Sequence, residues 1–183
     1  DGAEMEFDEP IDPKTVDLGK RKLKKGWLHG QITIVREPSQ PGAADDLLIT
    51  TRDVELIGNR ATSPHPVQFR MGRSHGGGRD LEILLAAAEG QSGTFGSGKV
   101  QSLSLKRDVV MHLVMDDEMS GRSRTPGAAP QPPEAPTKIT CQGPFQYDFV
   151  RNSAAFNDRV DVVRLGDGPG DQLNCQVLTV FFE

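Results

Sequence analysis

The chain has 183 residues, with 21 lysines and arginines against 26 aspartates and glutamates, so its formal net charge is −5. That length suits one ordinary domain or two small ones, and the negative balance argues against a nucleic-acid partner, because affinity for phosphate backbones comes from clustered lysine and arginine. The longest apolar run, residues 83–88, is far shorter than the roughly 20 residues that a membrane-spanning helix needs.

The first 19 residues differ in composition from the rest of the chain. They are acidic, contain Pro10 and Pro13, and show no periodicity. We therefore predict an acidic mobile tail, or at most a lead-in strand, over residues 1–19. An aspartate at position 1 is expected where a signal or anchor has been removed, or where a fragment of a longer protein was cloned.

From Trp27 onward, apolar and polar residues alternate, which is the pattern of β-strands. No stretch combines helix caps with a 3.6-residue period, and residues 82–90 are only a marginal helix candidate. The sequence therefore predicts an all-β protein. The residues expected to share a face on each of the first four strands are Leu28, Gly30, Ile32 and Ile34; Leu48, Thr50, Val54 and Leu56; Val67, Phe69 and Met71; and Leu81, Ile83 and Leu85.

Two glycine-rich segments resemble catalytic or nucleotide-binding loops. Residues 93–100, GTFGSGKV, fit G-x-x-x-x-G-K, but a phosphate loop needs a Ser or Thr after the lysine and a helix beyond it. Here Val100 follows, and the next segment alternates like a strand, so we predict a hairpin turn and no nucleotide. Residues 75–78, HGGG, resemble a hydrolase oxyanion loop, but the chain has no G-x-S-x-G nucleophile elbow, and a flexible turn is predicted.

The second half of the chain predicts one long strand, an insertion and further strands. Residues 103–115 alternate over more than a usual strand length, so a bulge or bend is expected near Arg107 and Asp108. Residues 117–137 are rich in proline, glycine and serine and predict a flexible insertion. Because residues 138–183 are too few to fold alone, we expect residues 20–183 to form a single domain with one continuous sheet.

A weak repeat suggests a family. Residues 48–69 and 139–163 share an apolar start, a polar bend with an asparagine, and a strand ending V-x-F or V-x-V, and residues 173–175 begin a partial third copy. At these positions, residues 46–85 (DLLITTRDVELIGN through RDLEILL) and 154–182 (AAFNDRVDVV through LTVFF) resemble the OstA-like family of periplasmic lipopolysaccharide transport proteins, of the LptA and LptC type.

The resemblance implies an open β-jelly roll built from stacked antiparallel hairpins, located in the periplasm or cell envelope. It implies a non-enzymatic module that binds or passes lipopolysaccharide or a similar amphiphile, and that joins neighbouring β-jelly-roll modules by edge-strand pairing. A structural β module that stacks through its edges without binding lipid is the alternative. The candidates for the lipid groove are Val67, Phe69, Leu81, Ile83, Leu103, Leu105, Val109, Met111 and Leu113. Any β-sandwich has such an apolar stripe, so the same residues also suit a closed core.

Few residues suggest other chemistry. No catalytic constellation, metal site or cofactor is predicted, because the four histidines, His29, His65, His75 and His112, lack ligand spacing. Cys141 and Cys175 occupy matching positions in the repeat. Two buried free thiols are predicted, and stacked repeats in an oxidising envelope would permit a disulfide between them as the alternative.

Overall fold

A computed structural model describes residues 2–7, 23–38, 40, 46–86, 100–114, 136–165 and 171–182. These residues form strands and no helix, which confirms the all-β prediction. These described ranges accordingly include no helix that is long and apolar enough to span a bilayer. The strands are β1 (Gly2–Phe7), β2 (Leu23–Arg36), β3 (Leu47–Ile57), β4 (Arg60–Met71), β5 (Ser74–Leu85), β6 (Val100–Leu113), β7 (Thr137–Cys141), β8 (Phe145–Asp148), β9 (Ser153–Arg164) and β10 (Gln172–Phe181).

All ten strands belong to one antiparallel sheet, in which β1 to β7 pair in chain order and β9 pairs with β10. The short strands β7 and β8 follow one another along the same side of β6, with Leu113 opposite Thr137 and Leu105 opposite Phe145. Both then pair with β9 on their other side. The expectation that the last part of the chain continues the first sheet is therefore confirmed. The proline-rich insertion predicted at 117–137 lies outside the described residues, except for its last two positions, where Thr137 begins β7.

A line of bulges crosses the middle of the sheet. The register shifts between β2 and β3, β3 and β4, β4 and β5, and β5 and β6, each time near the strand centre. A bulge adds a residue to one strand and bends it. We call this line the crease; it is marked by five residues with positive φ, namely Gly30 (88°), Asp53 (45°), Asp80 (59°), Asp108 (55°) and Asp158 (61°).

The crease has a sequence signal. Glycine and aspartate are among the residues that tolerate positive φ, and the pair Arg-Asp recurs at 52–53, 79–80 and 107–108, each time followed by a buried valine or leucine. The bulge expected near Arg107 and Asp108 is confirmed, because Asp108 has a positive φ and the register shifts there.

The sheet folds over along the crease, so that its two halves face each other. Phe69 of β4 lies on one side of the crease and Phe145 of β8 on the other, yet their rings stack with centroids 5.8 Å apart. Two strands separate them in the sheet, so this contact runs between the halves. At the rim, the Arg36 guanidinium lies 5.0 Å from the centre of the Phe149 ring. The apolar core fills the space between the halves.

The crease also changes which residues face the core. On β3, the residues buried before the crease are Leu47, Ile49 and Thr51, and those after it are Val54 and Leu56. The sequence-based prediction that Leu48 and Thr50 share the face of Val54 and Leu56 is therefore wrong. At Asp53 the two-residue alternation of β3 shifts by one, because β3 crosses the crease with one residue fewer than β2 and β4, which have the extra residue of each bulge.

The glycines of HGGG lie within a strand, so the turn predicted at 75–78 is wrong. β5 runs through them from Ser74 to Leu85. A Cβ on Gly76 would lie 2.6 Å from the Val110 carbonyl oxygen, and a Cβ on Gly77 would lie 2.7 Å from the Val67 carbonyl oxygen. Here glycine allows close approach of neighbouring strands rather than a reversal of the chain.

The acidic N-terminal segment contributes a strand. Gly2–Phe7 forms β1 and pairs with β2, which corrects the prediction of a mobile tail for these six residues and agrees with its lead-in-strand alternative. Across this pair, the Lys24 ammonium lies 2.7 Å from the Glu6 carboxylate. Residues 8–22 lie outside the described residues, as do 93–99 of the glycine-rich loop. β6 begins directly after that loop at Val100, which confirms the strand predicted to follow it.

Candidate functional site

The nine residues predicted to line a lipid groove all lie in the core between the two halves of the sheet. Their exposed fractions range from 0% for Leu105 and Met111 to 6% for Phe69. They pack together with aromatic side chains of the opposite half, including Phe145. The structure thus brings the predicted set together on one inner surface, and protein side chains cover that surface at these positions.

The inner surface is less covered at the two ends of the sheet. On β2, Leu28, Ile32 and Ile34 are only partly buried against the core. At the opposite end, the inward-facing residues of β10 are Cys175, Leu178 and Val180, and each is likewise only partly buried. Among the described residues, the apolar core is therefore less completely covered at β2 and at β10 than at its centre.

The edge strand β10 exposes apolar side chains. Leu173, Val177 and Phe181 are 53%, 59% and 70% exposed. Within the part of the chain that the structure describes, β10 pairs only with β9. Its sequence, QLNCQVLTVF, contains no charge and no proline, although those are the residues that usually protect a sheet edge from pairing with another chain.

The opposite edge strand, β1, is different in character. Glu4 lies 3.2 Å from His29, and Glu6 lies 2.7 Å from Lys24. The hydrogen bond from Lys24 lowers the pKa of Glu6, and the same contact raises the pKa of Lys24. Charges thus mark one edge of the sheet and not the other. The alternation alone did not reveal this difference, but the uncharged ten-residue sequence of β10 is a signal that could have done so.

The two cysteines are free thiols. Cys175 of β10 lies opposite Val160 of β9, and β9 separates β10 from the strand of Cys141. Two strand spacings amount to roughly 10 Å, too far for a disulfide. Burial raises the pKa of the Cys141 thiol, whose Sγ donates a hydrogen bond to the Gly143 carbonyl at 3.4 Å. The possible disulfide is thus not formed.

The histidines fall into two groups. His29 lies 3.2 Å from Glu4, and His65 lies 3.2 Å from Asp53. His75 and His112 instead stack on each other, with ring centroids 4.9 Å apart. In the described ranges, no group of three or more His, Cys, Asp or Glu side chains could hold a metal ion.

Asp53 organises the crease rather than a reaction centre. Its carboxylate accepts a hydrogen bond of 2.8 Å from the Gly30 N–H, and this bond, together with the nearby charges of His65, Arg52 and His29, holds the pKa of Asp53 below its usual value.

The nearby Ser63 hydroxyl is already engaged. It donates a 2.6 Å hydrogen bond to the Arg52 carbonyl and lies 3.1 Å from the Thr51 hydroxyl. Ser63 is also buried, with only 2% of its surface exposed. A serine held in this way is a structural part of the crease, although Ser63, His65 and Asp53 are the residue types of a hydrolytic triad.

The notable features of the described residues are thus an apolar core that is only partly covered at β2 and β10, and one uncharged apolar edge strand. No protein-family model, no curated protein and no solved structure matches the chain.

Proposed function

We propose that the chain is an OstA-like β-jelly-roll module of the cell envelope that joins neighbouring β modules through the free edge of β10, without enzymatic chemistry. The single antiparallel sheet that folds over on itself supports the jelly-roll part of this proposal. The observation that carries the joining function is the uncharged β10 edge with exposed Leu173, Val177 and Phe181.

The physical reason is the cost of leaving such an edge in water. An edge strand presents a row of N–H and C=O groups ready to pair, and apolar side chains on both of its faces add area to bury. A partner strand placed beside β10 would satisfy the backbone groups and cover Val177 and Phe181. Charged residues at the other end of the sheet disfavour the same event at β1.

Lysine at position 177 is expected to abolish concentration-dependent association of the protein. Val177 is 59% exposed, so Val177→Lys leaves the core intact and places a charge where a partner strand would lie. The measurement is molar mass by light scattering across a concentration series. Wild-type protein should form larger species as concentration rises, and the variant should remain monomeric.

Val150→Lys is the matched control. Val150 is 74% exposed and lies in the turn between β8 and β9, not on the edge strand itself. The control variant should associate like the wild type. Equal loss of association in both variants would assign the effect to surface hydrophobicity in general, and a wild type that stays monomeric throughout would argue against edge pairing.

A second function, passage of a lipopolysaccharide-like amphiphile, is favoured by the incomplete cover of the apolar core at β2 and β10. Leu28, Ile32 and Ile34 at one end and Leu178 and Val180 at the other are partly covered, whereas the nine central residues are covered almost completely. Acyl chains would therefore enter at the ends, and the central residues would have to separate to let them pass. A purely structural module would keep the interior closed.

Photo-crosslinking at β10 separates these two functions. Leu178 faces the interior opposite Phe156, and the adjacent Thr179 faces outward because successive residues of a strand point to opposite sides. With lipopolysaccharide present, a photo-reactive residue at position 178 should give adducts and one at 179 should not. Adducts at neither position, in a folded protein, would favour the module that joins neighbours without carrying lipid.

A further inference from the structure

A row of four basic side chains crosses the outer face of the sheet on four adjacent strands. Arg70 of β4 is the register partner of His75 in β5, His75 is the partner of His112 in β6, and His112 is the partner of Lys138 in β7. Neighbouring strands lie about 4.8 Å apart, so this basic row spans about 14 Å.

The four side chains point away from the core. Each is adjacent in sequence to a buried residue on its own strand. Because successive side chains of a strand point to opposite faces, each basic side chain points away from the core. The buried neighbours are Phe69, Ser74, Met111 and Ile139. The basic row therefore lies on the solvent side of one half of the sheet.

Little negative charge balances the basic row. Arg70 lies 3.4 Å from Asp46, but neither the two histidines nor Lys138 form an ion pair with any residue that the structure describes. Among the described residues, this face also has Asp161, the partner of Thr140, which accepts a 2.8 Å hydrogen bond from Gln172.

A depression lies beside the histidine pair. Its volume is about 520 Å³, and its lining includes Thr50, Gln68, Arg70, His75, Gly77 and His112. Gly77 contributes no side chain, and a Cβ there would lie 2.7 Å from a backbone oxygen. The close packing of the strands thus excludes a side chain at this position, and none fills this part of the depression. The hydroxyl of Thr50 and the amide of Gln68 add hydrogen-bond donors beside the charges.

We propose that the basic row binds a ligand that carries two or more phosphate groups. One phosphate lies in the depression against Arg70 and the histidine pair, and the length of the row brings a second within reach of Lys138. Charged donors form the strongest hydrogen bonds to phosphate, and an anion between two stacked imidazoles offsets the repulsion that arises when both are protonated. This site is separate from the β10 edge and from the interior, so it does not depend on the function proposed above.

The double variant His75→Gln/His112→Gln tests the histidine pair directly. Glutamine keeps a hydrogen-bonding side chain but removes both imidazoles, so the double variant should bind tripolyphosphate more weakly than the wild type at the same pH. Unchanged affinity would mean that the phosphate does not contact the histidine pair.

The chain contains its own control for locating the ligand, because it has four histidines and only two lie in the basic row. The experiment titrates inorganic tripolyphosphate into the full chain and follows the imidazole proton signals by NMR. The signals of His75 and His112 should move with saturation, and those of His29 and His65, which lie beside carboxylates elsewhere, should stay in place. Equal movement of all four, or of none, would overturn the proposal.

Charge variants test the role of Lys138. Lys138→Gln should weaken tripolyphosphate binding about tenfold, the equivalent of one charged hydrogen bond. Lys106→Gln removes the same charge from the outer face of β6 beyond the crease, where Lys106 pairs with Glu82 at 3.1 Å, and should leave the affinity unchanged. Equal weakening by both variants would mean general charge attraction and no site.

A second arm distinguishes the source of the phosphate. Vesicles of phosphatidylglycerol in phosphatidylcholine replace tripolyphosphate, with pure phosphatidylcholine vesicles as the blank. The wild type should be retained on the anionic vesicles if lipid headgroups are ligands of the basic row. In that case Lys138→Gln should reduce the retention and Lys106→Gln should not. Tripolyphosphate binding without such retention would identify a soluble phosphate ligand, and failure of both probes would overturn the site.

Discussion

Phe145→Ala is expected to lower the free energy of unfolding by about 3–5 kcal/mol, the cost of deleting a large aromatic side chain from a packed core. Phe145 is 1% exposed. Its ring stacks on Phe69 with centroids 5.8 Å apart and packs at an angle on Phe156 at 4.9 Å. Because the contact with Phe69 joins the two halves of the folded sheet, the cavity would open at the interface between them.

Urea denaturation of wild type and variant would measure this loss. Phe181→Ala serves as the control, since Phe181 is 70% exposed on the edge strand and its removal should change the stability of the monomer by less than about 0.5 kcal/mol. A small loss for Phe145→Ala, close to that of the control, would mean that the two halves of the sheet do not pack against each other through this ring.

The strands and their continuity were predictable because alternation of apolar and polar residues is a local signal. It located β2 to β6 and predicted that residues beyond the insertion complete the same sheet. It also predicted the bulge near Arg107 and Asp108, where a charged pair interrupts an otherwise apolar face. The same Arg-Asp pair at 52–53 and 79–80 carried the same information, and comparing the three would have predicted the crease.

Alternation alone could not predict which residues beyond each bulge face the core and which face water. β3 crosses the crease with one residue fewer than β2 and β4, which shifts the parity of β3 at Asp53, and the register shift between Cys175 and Val177 does the same on β10. As a result, Leu178 and Val180 face inward while Val177 and Phe181 face water. The bulge thus decides that the edge strand has apolar groups on both faces, the feature on which edge pairing depends.

The distinction between an open groove and a closed core has a different cause. Both require the same inner stripe of apolar residues, such as Leu103, Leu105 and Met111. What differs is how closely the opposite half of the sheet lies above that stripe, and this distance depends on tertiary contacts such as that between Phe69 and Phe145. A single strand's pattern contains no information about the layer that covers it.

The glycines of HGGG show a similar ambiguity, because the same three residues suit a turn or a strand under close approach. Gly76→Ala is expected to destabilise the protein by about 1–3 kcal/mol, as overpacking of a filled core does. The added Cβ would lie 2.6 Å from the Val110 carbonyl oxygen and 2.9 Å from the Phe69 ring. Gly76 does not have the left-handed backbone conformation of Gly58, so this cost comes from lack of space alone.

Gly2→Ala is the control for this prediction, because a Cβ at Gly2 meets no atom within 4 Å. The midpoint of urea denaturation should fall for Gly76→Ala and stay within error for Gly2→Ala. If Gly76→Ala matched the control, the strands at β5 would have room to separate, and HGGG would be a flexible segment as its composition suggests. A clear loss would instead mean that β5 lies close against β6, as the register of His75 with His112 in the basic row requires.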